Sequence, residues 1–460
     1  MLKKFIILVI IACGLGFLSR EVGLDSHQAI AIAIFSGSIL GTLFFWDFRL
    51  SFAFMGTALL FVTKTIDITH FVTFCSLEVI LFLVGMMVLV GLLKENGFFS
   101  LVTHLLLGIK HLTARKFVVI LCAASWLMAA SVDEVTSIIF MIAAILEVCN
   151  RLKVKPTPYV IISILATNIG SAATVLGNPI GILIATKSGL TFEDFIAKAL
   201  PLSAVCLVVT IAICLVWYRK AFKEMDDEIK HLKGNEVTAM QKPYYITKDL
   251  RASLAIFAAT LVIISLHHRL ELFWGLESNT ILFVAPLLAS SLVFVWKRHS
   301  ARKYVEKDVE WWTLLFFLFL FGQAGALRYT GATSVLAKYL AEMTSSSINI
   351  LTGCILWIST IGSSILDNVV LVATIIPVIQ DFKGLGIGLQ PLWWALLFGG
   401  CLGGNITLVG STANIVALGI LEKEKNLRVT FMQWFGVGLT VGVITTVIAW
   451  ITFLFIPFYR

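Results

Sequence analysis

The sequence predicts an all-α membrane protein with about 11 transmembrane helices and two re-entrant hairpins, built as an inverted repeat. Three observations lead there. The chain of 460 residues is 59% hydrophobic and only 13% charged, with a mean hydropathy of +0.96, whereas soluble domains carry about 25% charged residues. Apolar stretches close to the roughly 20 residues that cross a bilayer recur along the whole chain. The two halves also resemble each other at a nearly constant offset.

Uninterrupted spans are read at 4–19, 27–45, 50–63, 77–93, 195–217, 251–266, 279–296, 311–327 and 430–457. They are too long and too evenly apolar for barrel strands, which alternate. The opening MLKKFIILVIIACGLGFLSR has signal-peptide features and a faint lipoprotein-like IIAC box, but so many spans follow that it reads as the first of them. One long polar stretch, 218–250, is mixed in charge and reads as a solvated cytoplasmic linker between a first repeat, 1–217, and a second, 251–460. Segments 98–112 and 333–342 are too short or too polar to span and read as amphipathic interfacial helices closing the scaffold stretches 1–112 and 251–342.

A net charge of +8 would suggest nucleic acid in a soluble chain. Here the basic residues sit in connecting loops, so they read as orientation signals, and membrane lipid is the expected surrounding. The eight cysteines show neither CxxC pairs nor a framework spacing and read as small hydrophobes.

The repeat is legible in three places. LFLVGMMVLVGLLKENG (81–97) aligns with LFFLFLFGQAGALRYTG (315–331) at an offset of 234, which also carries Asp133-Glu134-Val135 onto Asp367-Asn368-Val369. At an offset of 233, NIGSAATVLGNPIGI (168–182) falls on CLGGNITLVGSTANI (401–415). The basic stretches 94–116, 149–156, 218–250 and 297–310 are placed in the cytoplasm. Counting spans then puts 328–345 outside, opposite to its counterpart, so the halves are inverted. The N-terminus is expected in the cytoplasm and the C-terminus outside, in the plasma (inner) membrane.

Residues 117–148 lie between two cytoplasmic flanks and are too many for one span, so they read as a hairpin of two arms of about 15 residues, roughly 22 Å each. Its tip is SVDE (131–134), and its counterpart at 346–380 enters from outside with its tip at Ser364–Asn368. Next in each half comes a span broken by glycine and polar residues, 158–186 and 391–420. Such breaks survive at membrane depth only inside protein or beside water. Asn178-Pro179 reads as a cap and first turn, and Ser411 or Thr412 would cap the matching half-helix.

A carboxylate near the bilayer centre costs at least about 2.5–3.5 kcal/mol, and no lysine or arginine lies in the arms or breaks near Asp133, Glu134 and Asp367. These three, with Asn368, are therefore the expected ion-coupling residues. Oxygen ligands would come from Ser131, Asn168, Ser171, Thr174 and Asn178 in the first half, and from Ser364, Asn405, Thr407, Ser411, Thr412 and Asn414 in the second. Gly170, Gly177, Gly403, Gly404 and Gly410 would bring backbone close to the bound species. Sodium is the metal these residues would hold, and no other cofactor is expected. The competing reading makes the tip aspartates simple helix caps. His267-His268-Arg269 reads as an outer loop, and Trp311-Trp312 and Trp393-Trp394 as interfacial anchors.

SSILDNVVLVATIIPV (363–378), NIGSAATVLGNP (168–179), GGNITLVGSTANIVALG (403–419) and LFLVGMMVLVGLLKENG (81–97) resemble the ion-transporter superfamily of arsenite permeases, NhaD-type sodium–proton antiporters, citrate-transporter-like permeases and the P protein. The resemblance covers nearly the whole chain. It implies a homodimer in which hairpins and broken helices move elevator-fashion against a scaffold. Relatives commonly have Asp-Asn at the first tip, where this chain has Asp133-Glu134, and many have aspartate where Asn178 stands. The expected function is secondary transport of a small ion or oxyacid coupled to protons or sodium, as sodium/proton antiport or arsenite-type efflux. A citrate- or dicarboxylate-like permease and a passive anion channel are the alternatives. The spans carry no Ser/His pair, His-Glu-x-x-His or aspartyl-protease motif, so an enzyme is not expected.

Overall fold

The computed structural model describes residues 2–21, 23–107, 113–231, 245–456 and 459. Among these there is no strand. The first half contains α1 (Leu2–Glu21), α2 (Ser26–Phe44), α3 (Arg49–Val62), α4 (Ile68–Phe74), α5 (Leu77–Glu95), α6 (Phe98–Leu107), α7 (Ala114–Ser131), α8 (Glu134–Leu152), α9 (Thr157–Gly170), α10 (Pro179–Ser188), α11 (Leu200–Trp217) and the linker helix α12 (Arg219–His231). The second contains α13 (Lys248–Ser265), α14 (His267–Trp274), α15 (Thr280–Trp296), α16 (Trp311–Tyr329), α17 (Ala332–Met343), α18 (Ile348–Ile365), α19 (Asn368–Asp381), α20 (Gln390–Gly403), α21 (Thr412–Lys425) and α22 (Phe431–Phe455). Every uninterrupted apolar span of the sequence contains a helix.

Nine helices among the described residues are long and apolar enough to cross a membrane, and four of them are the arms α7, α8, α18 and α19. The arms of the first hairpin have 18 and 19 residues, longer than the sequence suggested, because the basic flanks continue the helices outward. Length alone does not separate an arm from a span, but packing does. α9 lies along α7 and α8, whereas its continuation α10 lies along α19 and α20. In the mirror arrangement α20 lies along α18 and α19, and α21 along α8 and α9. Each broken helix thus passes from the flank of one hairpin to the flank of the other. The two hairpin tips meet, with Asn368 Nδ2 3.3 Å from the Glu134 carboxylate.

Close backbone approach makes this possible. A Cβ on Gly170 would sit 2.4 Å from the Trp126 carbonyl oxygen, and one on Gly403 would sit 2.3 Å from that of Thr360. The end of each broken half-helix therefore lies directly on a hairpin arm, at equivalent places in the two halves. α11 and α22 pack on each other and on α9 and α20. On the far side α16 contacts α3, α4 and α19, and α5 contacts α15 and α10, so a second group of spans faces the hairpins.

Three local readings change. Trp394 is fully buried and stacks edge-on against Phe195, with Trp393 also buried, so this pair fills the core between α10 and α20 instead of anchoring at an interface. His267 opens a short helix bent by 65° from α13, and its Nδ1 lies 2.8 Å from the Ile264 carbonyl, so the expected loop is helical. In the linker, α12 buries Phe222 and Met225, and its Asp226 accepts a 2.7 Å hydrogen bond from the Ala114 N–H at the start of α7. Parts of two readings, 108–112 and 232–244, lie outside the described residues.

Candidate ion and substrate site

Four helix N-termini converge where the hairpin tips meet the breaks: those of α8, α10, α19 and α21. Each is capped by the residue before it. Asp133 accepts from the Thr136 N–H at 2.8 Å, Asn178 from Gly181 at 2.9 Å, Asp367 from Val369 at 3.0 Å and Ser411 from Ala413 at 3.2 Å. An N-terminus presents roughly half a positive charge. Four of them together answer how carboxylates persist here with no ion-pair partner for Asp133, Glu134 or Asp367 among the described residues.

The structure separates the roles of the three acids. Asp133 caps α8, and Asp367 caps α19 while accepting a 2.6 Å hydrogen bond from the Thr412 hydroxyl. Glu134, 2% exposed, occupies the contact between the tips. Its carboxylate accepts from Asn368 Nδ2 at 3.3 and 3.5 Å and from Ser411 Oγ at 3.3 Å, and Ser171 and Asn178 also reach it. Asn178 Nδ2 donates to Ser171 Oγ at 3.0 Å and to the Cys401 sulfur at 3.2 Å, so a thiol does border the site.

Beneath this contact lies a node of three fully buried asparagines from both halves. Asn168 Nδ2 donates to Asn405 Oδ1 and Asn414 Oδ1, both at 2.9 Å, and Asn414 Nδ2 donates to the Gly404 and Thr407 carbonyls. The Oδ1 atoms of Asn168 and Asn368 are buried without a hydrogen-bond partner. An amide oxygen without a donor is a hard ligand suited to a small cation.

The remaining expected residues divide. Thr174 donates to the Ala130 carbonyl and Thr407 to that of Ser364, each at 2.5 Å, tying each break to its own hairpin in the same way. Gly177 and Gly410 lie against the backbone of Ser171 and Gly404. The hydroxyls of Ser131 and Ser364 instead donate back along their own helices, to the Leu127 and Ile361 carbonyls.

A cavity of about 170 Å³ reaches the tips and is lined by Asp133, Glu134, Thr136, Thr313 and Phe317, with Lys94, Asp308 and Glu310 toward its mouth. A second, about 210 Å³, lies at the other end between α16 and α19, beside Phe321, Ala324, Ala373 and Arg328, and touches no tip residue. Two charged groups near the first cavity escaped the sequence reading. Arg49 is buried at the start of α3 and donates to Thr313 Oγ1 at 3.1 Å, and Thr313 in turn donates to Glu310 at 3.3 Å. A lone arginine opening the apolar run 50–63 was the available signal.

Hairpins meeting between broken half-helices within an all-helical, membrane-spanning chain define a membrane transporter rather than an enzyme. A family described as "Citrate transporter" matches residues 30–399, and the chain belongs to it. An uncharacterized transporter of Mycobacterium tuberculosis is 31% identical over 376 residues, 81% of this chain and 84% of its own length. The P protein of Homo sapiens is 27% identical over 500 residues, 92% of this chain and 59% of its own. Among solved structures, the YdaH transporter of Alcanivorax borkumensis, described as having an unusual topology, shares the fold with a TM-score of 0.56 at 16% identity, covering 88% of this chain and 90% of its own.

Proposed function

We propose that the protein is a cation-coupled secondary transporter in which Glu134 binds the coupling proton or sodium ion. The observation that carries this is a buried carboxylate held by the neutral donors Asn368 and Ser411 at the meeting point of four helix N-termini. Such a group can take up a proton or a small cation, and the unpartnered Asn368 oxygen beside it adds a ligand. Asp367 and Asp133 support the site by holding the half-helices in place. The protein works as an integral plasma (inner) membrane homodimer, N-terminus inside and C-terminus outside. Hairpins and broken helices move as a unit against α1–α5 and α13–α16. The cavity beside Lys94 and Glu310 is then the cytoplasmic entrance.

For the cargo, an acidic site without lysine or arginine favours cation exchange such as sodium/proton antiport, or efflux of a neutral oxyacid such as arsenite. The family description favours a second reading, an organic carboxylate such as citrate, which the same helix N-termini would receive. The test is flux in proteoliposomes with a pH-sensitive dye, comparing sodium, lithium, arsenite, citrate and chloride. Flux driven by a sodium or proton gradient and abolished by Glu134→Gln is expected. Gradient-independent flux would indicate a channel, and coupled flux surviving Glu134→Gln would refute the assignment.

A further inference from the structure

The two ends of the pathway are built from equivalent segments but carry different chemistry. Gly91 on α5 faces Asp308, with 3.0 Å from its Cβ position to the Asp308 Cβ, and Gly325 on α16 faces Phe74 in the same way at 2.2 Å. The offset of 234 that relates these pairs carries Thr73, Phe74 and Ser76, beside the outer cavity, onto Lys307, Asp308 and Glu310, beside the inner one. Lys94 pairs with Asp308 at 3.1 Å, and among the described residues Glu310 at the inner mouth has no ion pair.

Glu310 is nevertheless held. Thr313 Oγ1 donates to its Oε2 at 3.3 Å, and Arg49 Nη2 donates to the same Thr313 hydroxyl at 3.1 Å. Arg49 is itself fixed over the Trp46 ring at 4.4 Å, and its Nε is buried without a partner. A buried guanidinium without a carboxylate in contact is costly. The charges of Asp367, Glu310 and Asp47 favour its charged form. The groups around Glu310 are Asp133 from the hairpin tip, Arg49 from α3, Lys94 from α5, and Lys307 and Asp308 from its own loop. Glu310 is exposed at the mouth, but partial desolvation of its carboxyl, with Asp133 adding, holds it above the usual range, while Thr313, Arg49 and Lys94 oppose the shift.

We propose that Glu310, positioned by Arg49 through Thr313, is a cytoplasmic-side cation-receiving residue that sets the affinity for the coupling cation from that face alone. This rests on the cation-coupled reading above. A cation leaving Glu134 toward the mouth meets Glu310 in the same cavity, whereas the outer path has Ser76 at the equivalent place.

The experiment measures apparent KM for sodium, or for protons where they drive wild-type flux, in inside-out and right-side-out vesicles. Removing one charge a few ångströms from the path should raise the cytoplasmic-side KM about fivefold in Glu310→Gln. The outer-side KM and kcat should stay within about twofold by the same arithmetic. On acidification the wild-type sodium KM should rise as Glu310 takes up a proton, and Glu310→Gln should flatten that dependence. Glu310→Asp should recover most of the affinity. Thr313→Val should show a smaller change of the same sidedness, and it decides the matter if Glu310→Gln does not assemble. Equal KM on both faces for wild type and variants, or a fall in kcat alone, overturns the proposal. Absence of coupled flux in wild type would instead overturn the functional reading beneath it.

Discussion

Glu134 and Asn368 hold the same position in the two repeats, and the structure puts them in contact across the centre. That contact supplies a reason for their difference. Two carboxylates so close could not both ionise without strong repulsion, whereas a carboxylate and an amide make a directional hydrogen bond. Asn368→Asp should therefore lower the thermal midpoint of the purified protein at neutral pH. Acidification should restore it, because one proton removes the repulsion. A midpoint that stays lowered at acid pH would point to a packing defect instead. The tip aspartates make a different test. Asn caps about as well as Asp, but Ala does not, at a cost of about 0.5–2 kcal/mol. Asp133→Asn should thus keep thermal stability close to wild type, and Asp133→Ala should not.

At the scale of elements, the hairpins and broken helices were legible because each breaks a rule of lipid-facing helices: polar residues, glycines and acids inside apolar runs. Asn178-Pro179 announced its cap by local chemistry alone, and the structure has it. What stayed hidden depends on partners far away in sequence. The Asn168–Asn405–Asn414 node joins residues 237 and 246 positions apart, and the Arg49–Thr313 bond joins residues 264 apart. Trp393 and Trp394 carry the composition of an interface belt and are buried because α20 packs among α18, α19, α22 and α10, with Phe195 against the Trp394 ring. The arms were read short because their basic ends look like loops. The closest element contacts are the most exacting. A methyl group on Gly170 or Gly403 would meet backbone oxygen, which cannot rotate away. Gly170→Ala and Gly403→Ala should each destabilise by about 1–3 kcal/mol, seen as reduced yield of monodisperse protein. Gly14→Ala, with open space around its Cβ position, is the control.

Across the whole molecule, one face of α16 lines both cavities. Thr313 and Phe317 line the inner cavity, and Phe321, Ala324 and Arg328 line the outer one. The rings of Phe317 and Phe321 stack at 6.1 Å, so about one helical turn separates the two cavities along this helix. A barrier that thin can be moved by a modest displacement of the hairpins relative to α16, without unfolding any element. In the conformation here the cavity at the Lys94 end reaches the hairpin tips and the one at the Arg328 end does not. Single cysteines at Thr313→Cys and Ala324→Cys, introduced where Cys13 and Cys354 have been replaced, should therefore report opposite states. Those two native thiols are the ones not buried. In the resting protein a membrane-impermeant thiol reagent should label the Thr313→Cys variant and spare the Ala324→Cys variant. Under a driving gradient the outer position should gain reactivity as the inner one loses it. A fixed barrier would leave both rates unchanged under every gradient, and a continuous pore would label both at once. A reciprocal change is the outcome that the proposed alternating transport requires.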